Sequence, residues 1–247
     1  MQIKDKEEFG ALAFAPMFTF TYLWPYMGMG AALLLALLLA TDLLRSDLSM
    51  SRWRDLPWLA WAGMLVYLVH QFEEHGIDAD GRHYAFRAFL CAGVGFADRK
   101  TCPVPYSFIT SVNVAAVWLA GPAAALLGRR WPALALSYFS IPFINMFAHV
   151  GPGLASATYN PGEATAIVLF LPLSLWTFHV ALSRYRLGWS AIVATVVAGI
   201  VLHAILMGSL LAFLHGLIGS GVLDVIQYLN PAIAGLLVYL VTRRRSV

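Results

Sequence analysis

Residues 189–215 read WSAIVATVVAGIVLHAILMGSLLAFLH, a run without a single Asp, Glu, Lys or Arg. As a helix rising about 1.5 Å per residue it is roughly 40 Å long, more than the hydrocarbon thickness of about 30 Å it would have to cross. The rest of the chain has the same character. Of its 247 residues, 60% are hydrophobic and 12% charged, where soluble domains run near 25% charged. Such a chain lacks the polar surface to cover a soluble globule. The composition also excludes a disordered chain and a collagen-like fibre, and two Cys exclude a disulfide scaffold. Alternation in ten-residue stretches, the mark of a transmembrane barrel, is missing. The reading is an all-α, polytopic transmembrane helical bundle forming a single domain over 1–247.

Seven spans are expected, at about 23–44, 56–77, 107–127, 131–150, 162–182, 189–215 and 222–241, with an outer loop at 78–106. Residues 9–22, interrupted by Pro16, read as an interfacial or kinked lead-in. The first ten residues are mixed in charge and the apolar run that follows is too long for a signal core, so no cleavable signal peptide is expected. Lys and Arg in the loops set the orientation. One set of loops holds Arg45, Arg52, Arg54, Arg129, Arg130, Arg184, Arg186, Arg243, Arg244 and Arg245. The other holds Lys4, Lys6, Arg82, Arg87, Arg99 and Lys100, four of them in the one long loop. The Arg-rich side is therefore expected in the cytoplasm, with the N terminus outside and the C terminus inside, in a bacterial-type plasma membrane. These small Arg clusters suit membrane topology, so no nucleic-acid partner is expected. Cys91 and Cys102 both fall in the outer loop, where they could pair as a disulfide or stand as two separate buried thiols.

Ionisable groups inside a membrane are costly and usually mark function. The apolar stretch Met64–Val69 runs straight into His70-Gln71-Phe72-Glu73-Glu74-His75. On a helix, Glu73 lies about 60° to one side of His70 and Glu74 about 40° to the other, while His75 points about 140° away. One stripe thus carries an imidazole and two carboxylates, which could bind a divalent metal or act as general acid and base. Asn145 and His149 lie one turn apart in the fourth span, and the topology brings His149 to the depth of the His70 cluster. Asn113 falls in the outer third of the third span. Glu163, three residues after Asn160, has the spacing of a capping box.

The run from His70 to Glu74 matches the motif that names the HXXEE family of small integral membrane proteins. Asn145-Met146-Phe147-Ala148-His149 followed by Tyr159-Asn160-Pro161-Gly162 resembles that family's second block, an N-x-x-x-H helix and a Y-x-P-G turn. The resemblance covers roughly residues 56–182. It singles out His70, Glu73, Glu74, Asn145 and His149 and implies no settled reaction.

Three functions compete. The first is a metal-dependent integral membrane enzyme, with hydrolysis favoured, acting on a hydrophobic, lipid-like small molecule in the outer half of the bundle. His70, Glu74 and His149 would be its metal ligands; Glu73, Glu74 and Asn145 would be its catalytic residues. Zinc is the favoured metal, and iron or manganese also suits a mixed nitrogen and oxygen set. The second is a metal-free terpenoid or lipid cyclase or isomerase using Glu73 or Glu74 with Asp224 as acids. The third is a proton- or ion-coupled transporter. Membrane lipid is the expected surrounding partner, and the oligomeric state is left open.

Overall fold

The computed structural model describes residues 16–98 and 100–243. It is an all-helical bundle, described here as helices α1 (Pro16–Ala40), α2 (Leu56–His75), the short α3 (Ala85–Gly93), α4 (Tyr106–Gly128), α5 (Pro132–Ser156), α6 (Glu163–Ser183), α7 (Trp189–Leu214) and α8 (Ser220–Arg243). Six of these are long and apolar enough to cross a membrane: α1 (from Leu23), α4, α5, α6, α7 and α8. The protein is therefore a polytopic membrane-helix bundle. The exception is α2, whose last turns carry His70, Gln71, Glu73, Glu74 and His75 and dilute its apolar character.

Position in the bundle explains how α2 tolerates those residues. Fifteen of its twenty residues are buried, and it packs against α1, α4, α5 and α6. Its polar groups face other helices, which can satisfy them. By contrast, Leu33, Leu37, Val193, Ile200, Leu229 and Leu236 on α1, α7 and α8 are exposed. An apolar surface of that kind suits lipid contact.

The helix limits follow local chemistry. Pro57 sits in the first turn of α2, where its missing N–H costs nothing, and the N–H of Gly76 closes the helix on Phe72 O. Gly162, in a left-handed conformation at φ 90°, turns the chain into α6. Inside α4 and α6, Val114–Leu119 and Ala166–Phe170 are π-helical. Each stretch is followed within three residues by a proline, Pro122 or Pro172. A missing proline N–H leaves the hydrogen-bond ladder out of step there. The first helix starts at Pro16 and runs through Pro25, so 16–22 continue the helix; residues 9–15 lie outside the described residues. It ends at Ala40, short of Leu44, because Arg52 donates from Nη1 to the carbonyls of Leu39 (2.8 Å) and Ala40 (3.0 Å). The fourth expected span continues past 150 to Ser156.

The two ends of the bundle differ. At one end, Trp176 Nε1 donates to Trp53 O (2.7 Å) and Leu56 N to Tyr185 OH (3.3 Å), joining the loops that hold Arg52, Arg54, Arg184 and Arg186. Arg45 bonds Asp42 there (2.7 Å), and that bond holds the Asp42 carboxyl below the usual carboxylate range. At the other end, segment 77–105 carries α3, which a Cys91–Cys102 disulfide ties to the segment before α4. Arg99, Arg244, Arg245, Lys4 and Lys6 lie outside the described residues. An apolar groove of about 650 Å³ runs between α4, the first half of α5 and α8, with Tyr138 among its lining residues.

Candidate metal centre

The end of α2 opposite the arginines meets the late turns of α5 and the start of α6. His70 and Glu74 sit one turn apart on α2, and His149 comes from α5. Each offers a ligand atom, and the three atoms lie within 4.8 Å of one another. All three side chains are buried, at 0%, 4% and 3% exposure. Glu74 spans the cluster: Oε1 is 3.0 Å from His149 Nε2, and Oε2 is 3.5 Å from His70 Nε2. Ligand atoms bound tetrahedrally at about 2.0–2.1 Å from a metal sit roughly 3.3 Å apart, so both separations suit a shared ion.

His70 gives the sharper test of fit. Its Nε2 is buried without a hydrogen-bond partner. An unpartnered polar atom in a membrane bundle is costly, and a ligated cation would satisfy it. The His70 ring also packs against Phe170 at 4.4 Å and His149 at 4.9 Å between ring centres. Gly162 forms the floor. A methyl group built on its α-carbon would stand 2.7 Å from His70 Cε1, 2.7 Å from Glu74 Cγ and 3.0 Å from His149 Cε1. All three ligand side chains thus close on one glycine. A buried His/His/Glu cluster able to coordinate a divalent metal is present.

The 159–163 turn builds that floor. Asn160 Nδ2 donates to His149 O (2.8 Å), and the Asn160 N–H donates to Glu163 Oε2 (3.1 Å); Gly162 takes the N-cap position without a side-chain cap bond, so only half of the expected capping box forms. Tyr159 OH donates to Glu73 Oε1 (2.6 Å) and accepts from Ala79 N (3.1 Å), tying the turn to the loop after α2. Burial, followed by the bond to Glu73, pushes the Tyr159 phenol above its ordinary range.

Glu73 is buried but stands apart from the ligand cluster. Besides Tyr159, it accepts Ala164 N (3.1 Å) and Thr165 N (2.8 Å), free donors in the first turn of α6, and the Thr165 hydroxyl. Asn145 is half-buried one turn before His149, and its Oδ1 has no partner. Asp224 receives Ser111 Oγ at 3.4 Å and does not join the cluster. His75 stays outside the ligand cluster yet still reaches Glu74. Its Nε2 lies 3.2 Å from Glu74 Oε2, because the long Glu74 side chain swings its carboxylate between the two faces. The same nitrogen lies 3.2 Å from Asn113 Nδ2, and Asn113 Oδ1 accepts Gln71 Nε2 (2.9 Å). Helical angles alone missed this second row behind the ligands.

Fold and site together define a class: polytopic helical membrane proteins with a buried His/His/Glu cluster. Residues 61–177 match the family described as "Protein of unknown function with HXXEE motif", and over that part the chain belongs to the HXXEE-motif family. The matched segment contains every cluster residue and the turn beneath it. No curated protein and no solved structure gave a significant match.

Proposed function

We propose that this protein is a metal-dependent integral membrane enzyme that hydrolyses a hydrophobic, lipid-like substrate. His70, Glu74 and His149 would hold the divalent ion. Zinc suits a two-nitrogen, one-carboxylate set with an open position, and iron or manganese would accept the same donors. When bound, the ion supplies Lewis acidity, which acidifies water and polarises a carbonyl. The observation that carries the reading is the buried, unpartnered Nε2 of His70 beside a buried carboxylate and a second imidazole.

The chain's own residues supply the rest. Glu74 compensates the positive charge of the ion inside the bundle. Asn145, with its unpartnered Oδ1 one turn from His149, would orient a polar group of the substrate. Tyr67, Phe86 and Phe170 put aromatic rings beside the imidazoles, and such surroundings favour an apolar ligand. The recess reaching His75 from the α3 side is about 20 Å³, room for a single water. Entry of a substrate on that side would therefore need movement of α3, which carries Phe86.

We further propose that α2 spans as a seventh helix, with the N terminus outside and the C terminus in the cytoplasm of a bacterial-type plasma membrane. Joining the loops of Arg52, Arg54, Arg184 and Arg186 at one end supports this under the positive-inside rule. The disulfide at the other end suits an oxidising compartment, which supports a site in the outer half.

Elemental analysis of detergent-purified protein tests the metal reading. We expect about one equivalent of a divalent transition metal, lost in Glu74→Gln and in His149→Ala. A protein that stays metal-free after incubation with zinc, iron(II) and manganese(II) would remove the proposal.

A further inference from the structure

The first glutamate of the motif has four donors and no place among the ligands, so its role must lie in what those donors touch. Ala164 N and Thr165 N are peptide donors left free by the first turn of α6, and Glu73 caps them from a different helix. The Thr165 hydroxyl carries one hydrogen. It donates that hydrogen to the Glu73 carboxylate. The alternative acceptor, Gly162 O, is a neutral carbonyl at 3.3 Å, and the shorter contact to a charged oxygen is the stronger bond.

This direction has a consequence for His70. Its Nδ1 lies 2.9 Å from Thr165 Oγ1. With its hydrogen already donated, Oγ1 can only accept from the ring. His70 Nδ1 must then carry a proton, and in the neutral ring Nε2 is left as a bare lone pair. Nε2 is the atom that is buried without a partner and faces Glu74. Only in this tautomer can that buried nitrogen offer its lone pair to a cation.

We propose that Glu73 and Thr165 are positioning residues: the Glu73 carboxylate orients the Thr165 hydroxyl, which holds His70 as the Nδ1–H tautomer with Nε2 presented to the ion. The value of this relay for metal binding rests on the metal reading above; the tautomer itself does not. Outer partners of this kind typically contribute 10–100-fold to metal affinity. Tyr159 OH on Glu73 Oε1 keeps the carboxylate in register, so the Y-x-P-G turn takes part in the same device.

The test uses full-length, metal-free protein with ¹⁵N-labelled histidine, in which one- and two-bond couplings tell the two ring tautomers apart and His70→Ala identifies the signal. We expect the Nδ1–H form in the wild type. In Glu73→Gln, an amide NH₂ turned toward Thr165 would reverse the hydroxyl and move His70 to the Nε2–H form. Zinc affinity, by competition with a chelator, should fall 10–100-fold in Glu73→Gln and Thr165→Val. Thr165→Ser, which keeps the hydroxyl, should stay within a few-fold of wild type. An Nε2–H tautomer in the wild type, or wild-type zinc affinity in Thr165→Val, would overturn the proposal. If no variant or wild type binds metal, the enzyme reading fails, while the tautomer spectrum still decides the relay.

Discussion

Replacing Gly162 by alanine should damage the protein in two separable ways. The backbone there has φ 90°, and a side chain in left-handed space costs about 1–2 kcal/mol. The new methyl would also stand 2.7, 2.7 and 3.0 Å from atoms of Glu74, His70 and His149. Relieving such overlap in a packed interior costs about 1–3 kcal/mol, and the three nearest atoms here all belong to ligands. The total is roughly 2–5 kcal/mol. Gly95 supplies the control: its φ is 94°, yet a methyl there would meet nothing within 4 Å. Gly95→Ala should therefore show the backbone cost alone. Unfolding in detergent should find Gly162→Ala less stable than Gly95→Ala by about 1–3 kcal/mol. Added zinc should raise the melting temperature of Gly95→Ala and leave that of Gly162→Ala unchanged. Equal stabilities with equal zinc responses would refute the claim that the three ligands close on this glycine.

Two further outcomes follow from the geometry. The Tyr159 phenol is held protonated by burial and by Glu73, so its folded-state pKa lies above the unfolded value near 10. Its stabilisation should be complete below about pH 10 and lost as pH rises beyond it, and Tyr159→Phe should lack that alkaline decline in melting temperature. Single cysteines at Arg130 and Arg186 should react with an impermeant maleimide only after the cytoplasmic face is exposed, and one at Thr158 from outside intact cells. Labelling of Thr158→Cys only from the cytoplasmic face would reverse the orientation.

The bundle was largely legible because apolar blocks must be helices in a bilayer, and prolines and charges mark their ends. Span ends were less so. Nothing in the composition of 41–55 says that the Arg52 side chain will cap α1 at Ala40. His70, Glu74 and His149 could be read as a site because buried ionisable residues have few other reasons to be there. Helical angle groups Glu73 with them, yet its partners come from the Tyr159 turn and from α6, 86 to 92 residues on, where the angle is silent. Thr165 was invisible, since a threonine near the start of an apolar helix is ordinary until its hydroxyl is seen between Glu73 and His70. Helical angle turns His75 away from the stripe, whereas its contact depends on where the Glu74 side chain goes. Tyr159 and Gly162 were picked out only by family resemblance. Their physical reasons, a phenol on Glu73 and an α-carbon against three ligands, belong to the folded state.

The central claim is that His70, Glu74 and His149 bind one ion together. X-ray absorption at the zinc edge of the stoichiometric complex tests it most directly. We expect a first shell of nitrogen and oxygen at about 2.0–2.1 Å with outer scattering from two imidazoles, falling to one imidazole in His149→Ala if zinc is retained at all. A shell of sulfur, or an unchanged two-imidazole spectrum in His149→Ala, would contradict it.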